Sequence, residues 1–481
     1  MAEPRAYTFA PLEQRGVVGG LRSGQLLIVA STLAAAVAVL RVWPDGLGVA
    51  SVLGLTVAAS AVAFAPVRGL TAEQWAPTVS RRAARVARRS HRTRPVAHRR
   101  QPHPTICGLP PAAAGLSFGV VTDPRGADVA VVRDGPALTA VLAVRGRAFA
   151  LLDVADKDRR LAGWATVLAA MSRENGPVRR VQWVERTVPG DAEALTRHLG
   201  EAGRLPHDHP ARVSYQALVD EAGPLGQDHE CFVAVTVRAA RRRQQATAAL
   251  LRELRLLEGQ LRVAEIEVDH ALDPRQLGAV IRTGLDPWAR VGLARRSGAE
   301  GDLAGPPPDR AWPASTEESW SAWRTDDTIH ATFWVAEWPR TEVGADFLAP
   351  LLLHHNAQHA VTVIMAPLPP SAGVREAENA RTAQAADEQL RQRTGFLTTA
   401  RRRREADGVV QREAELSDGH AAYRYSGYVT VTAHGPEELE TACGELLQAA
   451  HQCRLELRRM YGAQDVAFTW TLPLGRGLAG R

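Results

Sequence analysis

Three histidines are the first residues whose spacing could carry chemistry. In HHNAQH, His354, His355 and His359 put two imidazoles four residues apart, the interval at which one helix face can hold a metal. No carboxylate accompanies them, and a lone pair of this kind is more often a coincidence of a helix surface. Phosphate chemistry fares no better. A nucleotide motor needs G-x-x-x-x-G-K-[ST], because the lysine must reach the terminal phosphates and the hydroxyl must hold magnesium. The only lysine, Lys157, stands in VADKDR, with no glycine before it. H-E-x-x-H does not occur. The expectation is a protein that is not an enzyme and takes no cofactor and no metal.

Cys107, Cys231, Cys443 and Cys453 form no C-x-x-C pair, which suits reduced thiols in a cytosolic body. Leu439, Cys443, Leu446, Ala450, Cys453, Leu457 and Met460 recur in steps of four and three, so one long helix is expected to bury both cysteines on its apolar stripe.

The densest charge lies in VSRRAARVARRSHRTRPVAHRR. Arg81, Arg82, Arg85, Arg88, Arg89, Arg92, Arg94, Arg99 and Arg100 fall there, and no acid stands between Glu73 and Asp123. These nine exceed the net charge of +6. Taking them from 58 basic residues leaves 49 against 52 acidic ones, so the basicity is local. A protein coating DNA over its whole surface is thereby disfavoured. Arginine so far outnumbers lysine that a GC-rich coding bias, as in actinobacteria, explains the choice better than recognition does.

What precedes the run explains it. Ser23 to Leu40 and Gly46 to Val67 are uncharged stretches of 18 and 22 residues. As helices they reach about 27 and 33 Å, close to a hydrocarbon core of roughly 30 Å. The turn Arg41-Val-Trp-Pro-Asp-Gly46 joins them, with Trp43 and, further on, Trp75 placed as interfacial aromatics. The turn carries only Arg41, while the second span is followed by Arg68 and the nine-arginine run. The positive-inside rule therefore sets both termini and the body in the cytoplasm, in a multi-pass protein of the cell membrane. The run is then a basic patch lying on anionic headgroups. Its interleaving with Ala and Val, not with stacking aromatics, makes nucleic acid the lesser partner.

The remaining chain alternates between periods of two and 3.6. Strands are expected at Ala127–Asp134, Ala137–Val144, Pro177–Val188, Glu230–Arg238 and Arg262–Val268. Helices are expected at Asp153–Glu174, Val213–Glu221, Arg241–Gln260 and Pro274–Thr283. A second set has strands Ile329–Glu337, Ala360–Met365, Tyr425–Thr432 and Val466–Leu472, with helices at Ala345–His355 and Pro436–Met460. The fold class is α+β: a two-helix transmembrane hairpin, then two split βαβ (ferredoxin-like) lobes with helical insertions. The expected organisation is a segment 1–22, a hairpin 23–67, a basic segment and linker 68–126, a first lobe 127–290, a polar linker 291–328 and a second lobe 329–481. A charged helical insertion spans 374–416, breaks at Gly395 and carries Arg401 to Arg404 beside acids.

DGPALTAVLAVRGRAFALLDVADKDRR and RRVQWVERTV resemble the start of the N-terminal, non-motor domain of TrbE/TraC-type conjugation (type IV secretion) ATPases. WVAEWPRTEVGADFLAPLL is similar to the middle of that domain, and DVAFTWTLPLGRGL to its closing strand. The resemblance covers roughly residues 127 to 478, by pattern more than by motif, and the hairpin in front resembles PrgI-type membrane subunits. The whole resembles an actinobacterial membrane-protein family in which hairpin and non-motor domain are fused. The layout is also similar to the EccE component of type VII secretion. The resemblance implies a non-enzymatic inner-membrane subunit of a secretion or conjugation apparatus, with membrane lipid, a separate secretion ATPase and other subunits as partners, and it leaves room for a homo-oligomer. It implies no catalytic residues. The expected docking site for the ATPase is the closing segment, Asp465 to Arg481, from which Leu474 to Arg481 could be removed without loss of the fold. A membrane-tethered nucleic-acid-binding protein using the two arginine runs is the reading of a different class.

Overall fold

In the computed structural model the described residues are 7, 9, 23–65, 71–87, 92–93, 109–146, 149–190, 196, 200, 205–206, 208–222, 226–239, 243–297, 304–354, 357–394 and 400–478. The chain divides into two compact units. One holds Pro11–His91 with Tyr461–Ala463; the other holds Met1–Ala10, Arg92–Met460 and Gln464–Arg481.

The smaller unit is helical. α1 (Ser23–Val42) and α2 (Gly46–Phe64) are the apolar helices, and α3 (Ala72–Ala87) follows. α2 ends three residues before the expected Val67. Ala65 precedes Pro66 and takes an extended conformation, as the residue before a proline must.

The larger unit is a mixed α/β body around one antiparallel sheet. Its elements, in chain order, are β1 (Arg92–Thr93), β2 (Leu116–Thr122), β3 (Asp128–Asp134), β4 (Ala137–Arg145), α4 (Val154–Met171), β5 (Val178–Pro189), α5 (Pro210–Ala222), β6 (Gln227–Arg238), α6 (Arg243–Val263), β7 (Glu267–Ala271), α7 (Pro274–Leu285) and α8 (Ala289–Ser297). They continue with β8 (Thr316–Glu318), β9 (Trp323–Thr325), β10 (Thr328–Glu337), α9 (Ala349–Leu352), β11 (Gln358–Pro367), α10 (Pro370–Thr394), α11 (Ala400–Ser417), β12 (Tyr423–Ala433), α12 (Pro436–Gln452), β13 (Glu456–Arg459) and α13 (Gln464–Thr469).

Among the described residues the 13 strands form one sheet in the order β1-β8-β9-β10-β12-β11-β5-β6-β4-β3-β2, with β13 beside β10 and β7 beside β4. The pairing repeats itself. β4 takes β3 at its start, β7 at its end and β6 along its other side, and β5 flanks β6. β10 does the same with β9, β13 and β12, and β11 flanks β12. The halves meet where β5 pairs with β11, from Arg186↔Ala360 to Val181↔Met365. The stretches expected as two lobes share one continuous sheet.

Alternation explains the layers. Leu138, Ala140, Leu142 and Val144 of β4 face α4 and α6 in one core. Ile329, Ala331, Phe333 and Val335 of β10 face α12 in another. Caps fix the helix starts: Asp153 Oδ1 accepts from Asp156 N–H at 2.7 Å. Asp273 and Gln276 form a reciprocal capping box with Pro274 at the first turn of α7.

Several elements differ from expectation. α12 stops at Gln452 because Arg454 is left-handed (φ 57°) and the amide of Leu455 bonds back to Ala450. Leu457 and Met460 therefore leave the helical stripe, Leu457 for β13. The expected strand Val466–Leu472 is α13 plus a turn. α6 runs on to Val263, which moves the next strand to Glu267–Ala271. The helix expected over Ala345–His355 shrinks to Ala349–Leu352. The stretches read as linkers supply β1, β2, β8 and β9, and Trp312 and Trp323 from the second of them are core residues.

Candidate functional site

The two surfaces that sequence singled out are the apolar pair with its basic helix and the end of the chain. α1 and α2 carry mean hydropathies of 2.0 over windows that are 0% and 11% buried. Leu27, Leu33, Leu47 and Leu53 stand exposed on them. Their polar side chains are neutralised locally, as Thr32 and Thr56 hydroxyls bond carbonyls one turn back at 2.7 and 2.8 Å. Gln25 Nε2 donates to Ala63 O at 3.0 Å and ties the two helices together. Trp43 is exposed at the turn, and Trp75 is half-buried with its ring 6.0 Å from Tyr461.

Arg81, Arg82 and Arg85 lie on α3, Arg81 fully exposed. Arg92 does not continue that helix. It opens β1 opposite Glu317 and forms an ion pair with it. The ladder with β8 fixes the backbone there as extended. Arg88, Arg89, Arg94, Arg99 and Arg100 lie outside the described residues.

The histidine trio does not form a helical pair. His359 is on β11, its amide bonded to Thr187 Oγ1 at 2.9 Å, and burial pushes its imidazole down to about 4. His354 follows α9 and approaches Glu445 at 3.7 Å, while His355 lies outside the described residues. Among the described residues no group of three or more His, Cys, Asp or Glu gathers as a metal site. Lys157 Nζ bonds Asp346 Oδ2 at 3.0 Å, which holds that carboxyl below its ordinary range. Burial raises the Cys443 thiol to about 12 and the Cys453 thiol to about 11, so neither is a thiolate near neutrality.

The described closing residues, Gln464 to Leu478, pack against the sheet. Phe468, Leu472 and Leu474 are buried in one core with Val184 and Trp323. Beneath them the second half carries a layer of hydroxyls and amides that sequence reading missed. His330 bonds Thr432 at 2.9 Å and Thr325 at 3.0 Å, and Thr430 bonds both Thr332 and Thr471. Gln464 accepts from Thr332 N–H at 2.7 Å. Gly475 is left-handed (φ +68°), and a Cβ there would lie 2.2 Å from Thr236 Oγ1. Arg476 pairs with Asp134 at 3.0 Å and donates to Ala112 O at 2.6 Å. The closing segment is therefore tied to the body as far as Arg476. The signal available in the sequence was its own composition, DVAFTWTLPL, which is too apolar for an exposed end.

Next to this layer Arg186 is buried. It bonds Glu230 through two nitrogens at 2.9 and 2.6 Å, Val280 O at 2.6 Å and Thr283 Oγ1 at 2.7 Å. The narrow cleft it lines has space for little more than a water-sized molecule, which excludes a drug-sized ligand there.

At the start of the chain, Tyr7 forms an isolated antiparallel bridge with Val343, through N–H···O bonds of 3.0 and 3.1 Å. Phe9 stacks on Trp338 with centroids 5.3 Å apart, and its ring centroid is also 5.3 Å from that of Phe347. No family model matches this sequence, and no curated protein matches it either.

Proposed function

We propose that this chain is a non-enzymatic, double-spanning inner-membrane subunit of a secretion or conjugation apparatus of the type IV kind, with a body that docks a separate ATPase on the cytoplasmic face. The observation that carries the membrane part is the pair of consecutive apolar helices whose side chains face outward. Exposed leucines along two full helices are stable only in lipid or against another protein. The arginines of α3 and the run after it set the orientation. The secretion part rests on the sequence resemblance. The repeated pairing of β4 to β7 and of β10 to β13 supports reading each half as one split βαβ (ferredoxin-like) unit within the shared sheet. The partner surface is the closing segment from Asp465 to Arg481, and the helical arm of α10 and α11, whose described side chains are mostly exposed, offers a second one.

The test has two parts. Leu33→Arg with Leu53→Arg puts a charge in the middle of each span, at a cost of about 2.5–3.5 kcal/mol apiece on insertion scales. The variant is expected in the soluble or aggregated fraction after alkaline extraction, where the parent chain stays with the membrane; extraction of the parent would sink the membrane reading. The detergent-solubilised parent is expected to co-purify with an ATPase that carries a P-loop, identified by mass spectrometry, and to turn over no ATP alone. Turnover by the pure chain would overturn the non-enzyme reading.

A further inference from the structure

Tyr7 and Phe9, ahead of the first span, belong to the fold of the body. Tyr7 exchanges both backbone hydrogen bonds with Val343, a buried residue in the connection between β10 and α9. Two residues on, Phe9 enters a group of aromatic rings: it stacks on Trp338 at an interplanar angle of 23° and lies against Phe347. Trp338 in turn meets Tyr425 edge-on at 5.4 Å. The alternation is that of a short added strand, with Tyr7 and Phe9 on the same side of the backbone. Tyr7 also contacts the first half of the body, its hydroxyl 3.4 Å from Asp158 Oδ1 on α4. One short segment thus touches both halves of the body. Lys157, next to Asp158, holds Asp346 at 3.0 Å and so pins the same connection from the other side.

The chain leaves this unit after Ala10 and rejoins it at Arg92. Everything between, including α1 and α2, is an insertion whose two ends are both fastened to one folded body. A folded body cannot lie on both sides of a membrane. Whatever crosses between its two attachment points must cross an even number of times.

We infer that Tyr7 and Phe9 form a topological strap: by docking on Val343, Trp338 and Phe347 they hold the chain ahead of α1 on the body's side of the membrane and oblige α1 and α2 to insert as a pair. This rests on the membrane reading for α1 and α2, and adds a constraint that arginine placement does not supply. Arginine bias acts while the chain is inserting; the strap acts on the finished fold and excludes any end state with a single crossing.

The experiment uses the full chain with Cys107, Cys231, Cys443 and Cys453 replaced by serine. In the first arm, Tyr7→Cys with Val343→Cys places two thiols on a directly paired position, within the Cα range a disulfide spans. Mild oxidation is expected to yield disulfide-linked peptides containing positions 7 and 343, and adding Phe9→Ala should cut their yield several-fold. No such peptide, under conditions where the chain is otherwise folded by circular dichroism, would overturn the strap whatever the membrane topology. In the second arm, single cysteines at Ala10, Asp45 and Leu353 are probed in sealed vesicles with a maleimide that cannot cross lipid. Positions 10 and 353 are expected on one side and 45 on the other. Labelling of 10 and 353 from opposite sides overturns the inference. All three on one side leaves the strap standing, with no crossings, and removes the membrane-spanning reading instead.

Discussion

The side chain of Gln182 holds the end of the chain to the middle of the sheet. Its Oε1 accepts the Gly475 amide at 2.8 Å, and its Nε2 donates to the carbonyls of Trp470 and Leu472, each at 2.9 Å. Gln182 lies on β5, at the seam between the halves, where it opposes Ile364. A wholly buried amide replaces water for three backbone groups, one of which, Leu472 O, also accepts from the Leu474 amide at 2.7 Å.

Gln182→Leu keeps the volume and takes the side-chain partner from Gly475 N–H and Trp470 O, which should cost about 1–3 kcal/mol each in the limit of no relaxation. Thermal unfolding of the solubilised chain is expected to shift down by several degrees. Removing Leu474 to Arg481 should do worse, since it deletes a buried leucine and the Arg476–Asp134 pair. An unchanged melting curve for that truncation would show the closing segment to be dispensable.

Arg186 offers a second test at the same seam. Alanine there leaves Glu230 short of its bidentate partner and uncovers Val280 O, so a loss of about 3–5 kcal/mol is expected. Lysine cannot reproduce the planar fork and should recover only part of it. Full recovery by lysine, read from urea midpoints, would mean that charge alone matters at this position.

His330 sets a pH dependence. Burial lowers its imidazole to about 3, against about 6.5 in an unfolded chain. The unfolded state therefore binds the proton first. The contribution to stability is whole above about 6.5 and is lost as pH falls toward 3. Its ring partners, Thr325, Thr328 and Thr432, are uncharged and cannot compensate. Melting temperature should fall across that window, and His330→Gln should flatten the slope even if it lowers the plateau. Equal slopes in parent and variant would assign the acid sensitivity to carboxylates elsewhere.

Much of this architecture is legible in the chain. Alternating Leu138, Ala140 and Leu142 marks β4, and Asp153 marks the start of α4, because both signals are local. The misread elements depended on distant partners. Thr430, Thr432 and Thr471 look like surface residues until the closing segment covers them, and Val466 to Leu472 looks like a strand because its apolar residues face a sheet it does not join. Arg454 ends α12 in a left-handed turn that no glycine announces. Tyr7 and Phe9, in an unremarkable leader, find partners more than three hundred residues away, and nothing in their own neighbourhood predicts that.

The arginine run remains the place where lipid and nucleic acid make opposite predictions. Six to ten phosphate contacts on DNA would lose roughly 10³–10⁵ in affinity between 50 and 200 mM salt. On a membrane, each arginine near an anionic surface contributes about 1 kcal/mol, in addition to the insertion of α1 and α2, which salt does not weaken. Orientation should then follow the arginines of α3 and the run: glutamine at Arg81, Arg82, Arg85, Arg88 and Arg89 should yield a mixed population, read by labelling a cysteine at Asp45 in sealed vesicles. The parent chain should retain little duplex or single-stranded DNA at 150 mM salt in a fluorescence-anisotropy titration. Tight DNA binding that persists at that salt, and is lost in the glutamine variant without any change in orientation, would transfer the run from the membrane surface to a nucleic-acid partner.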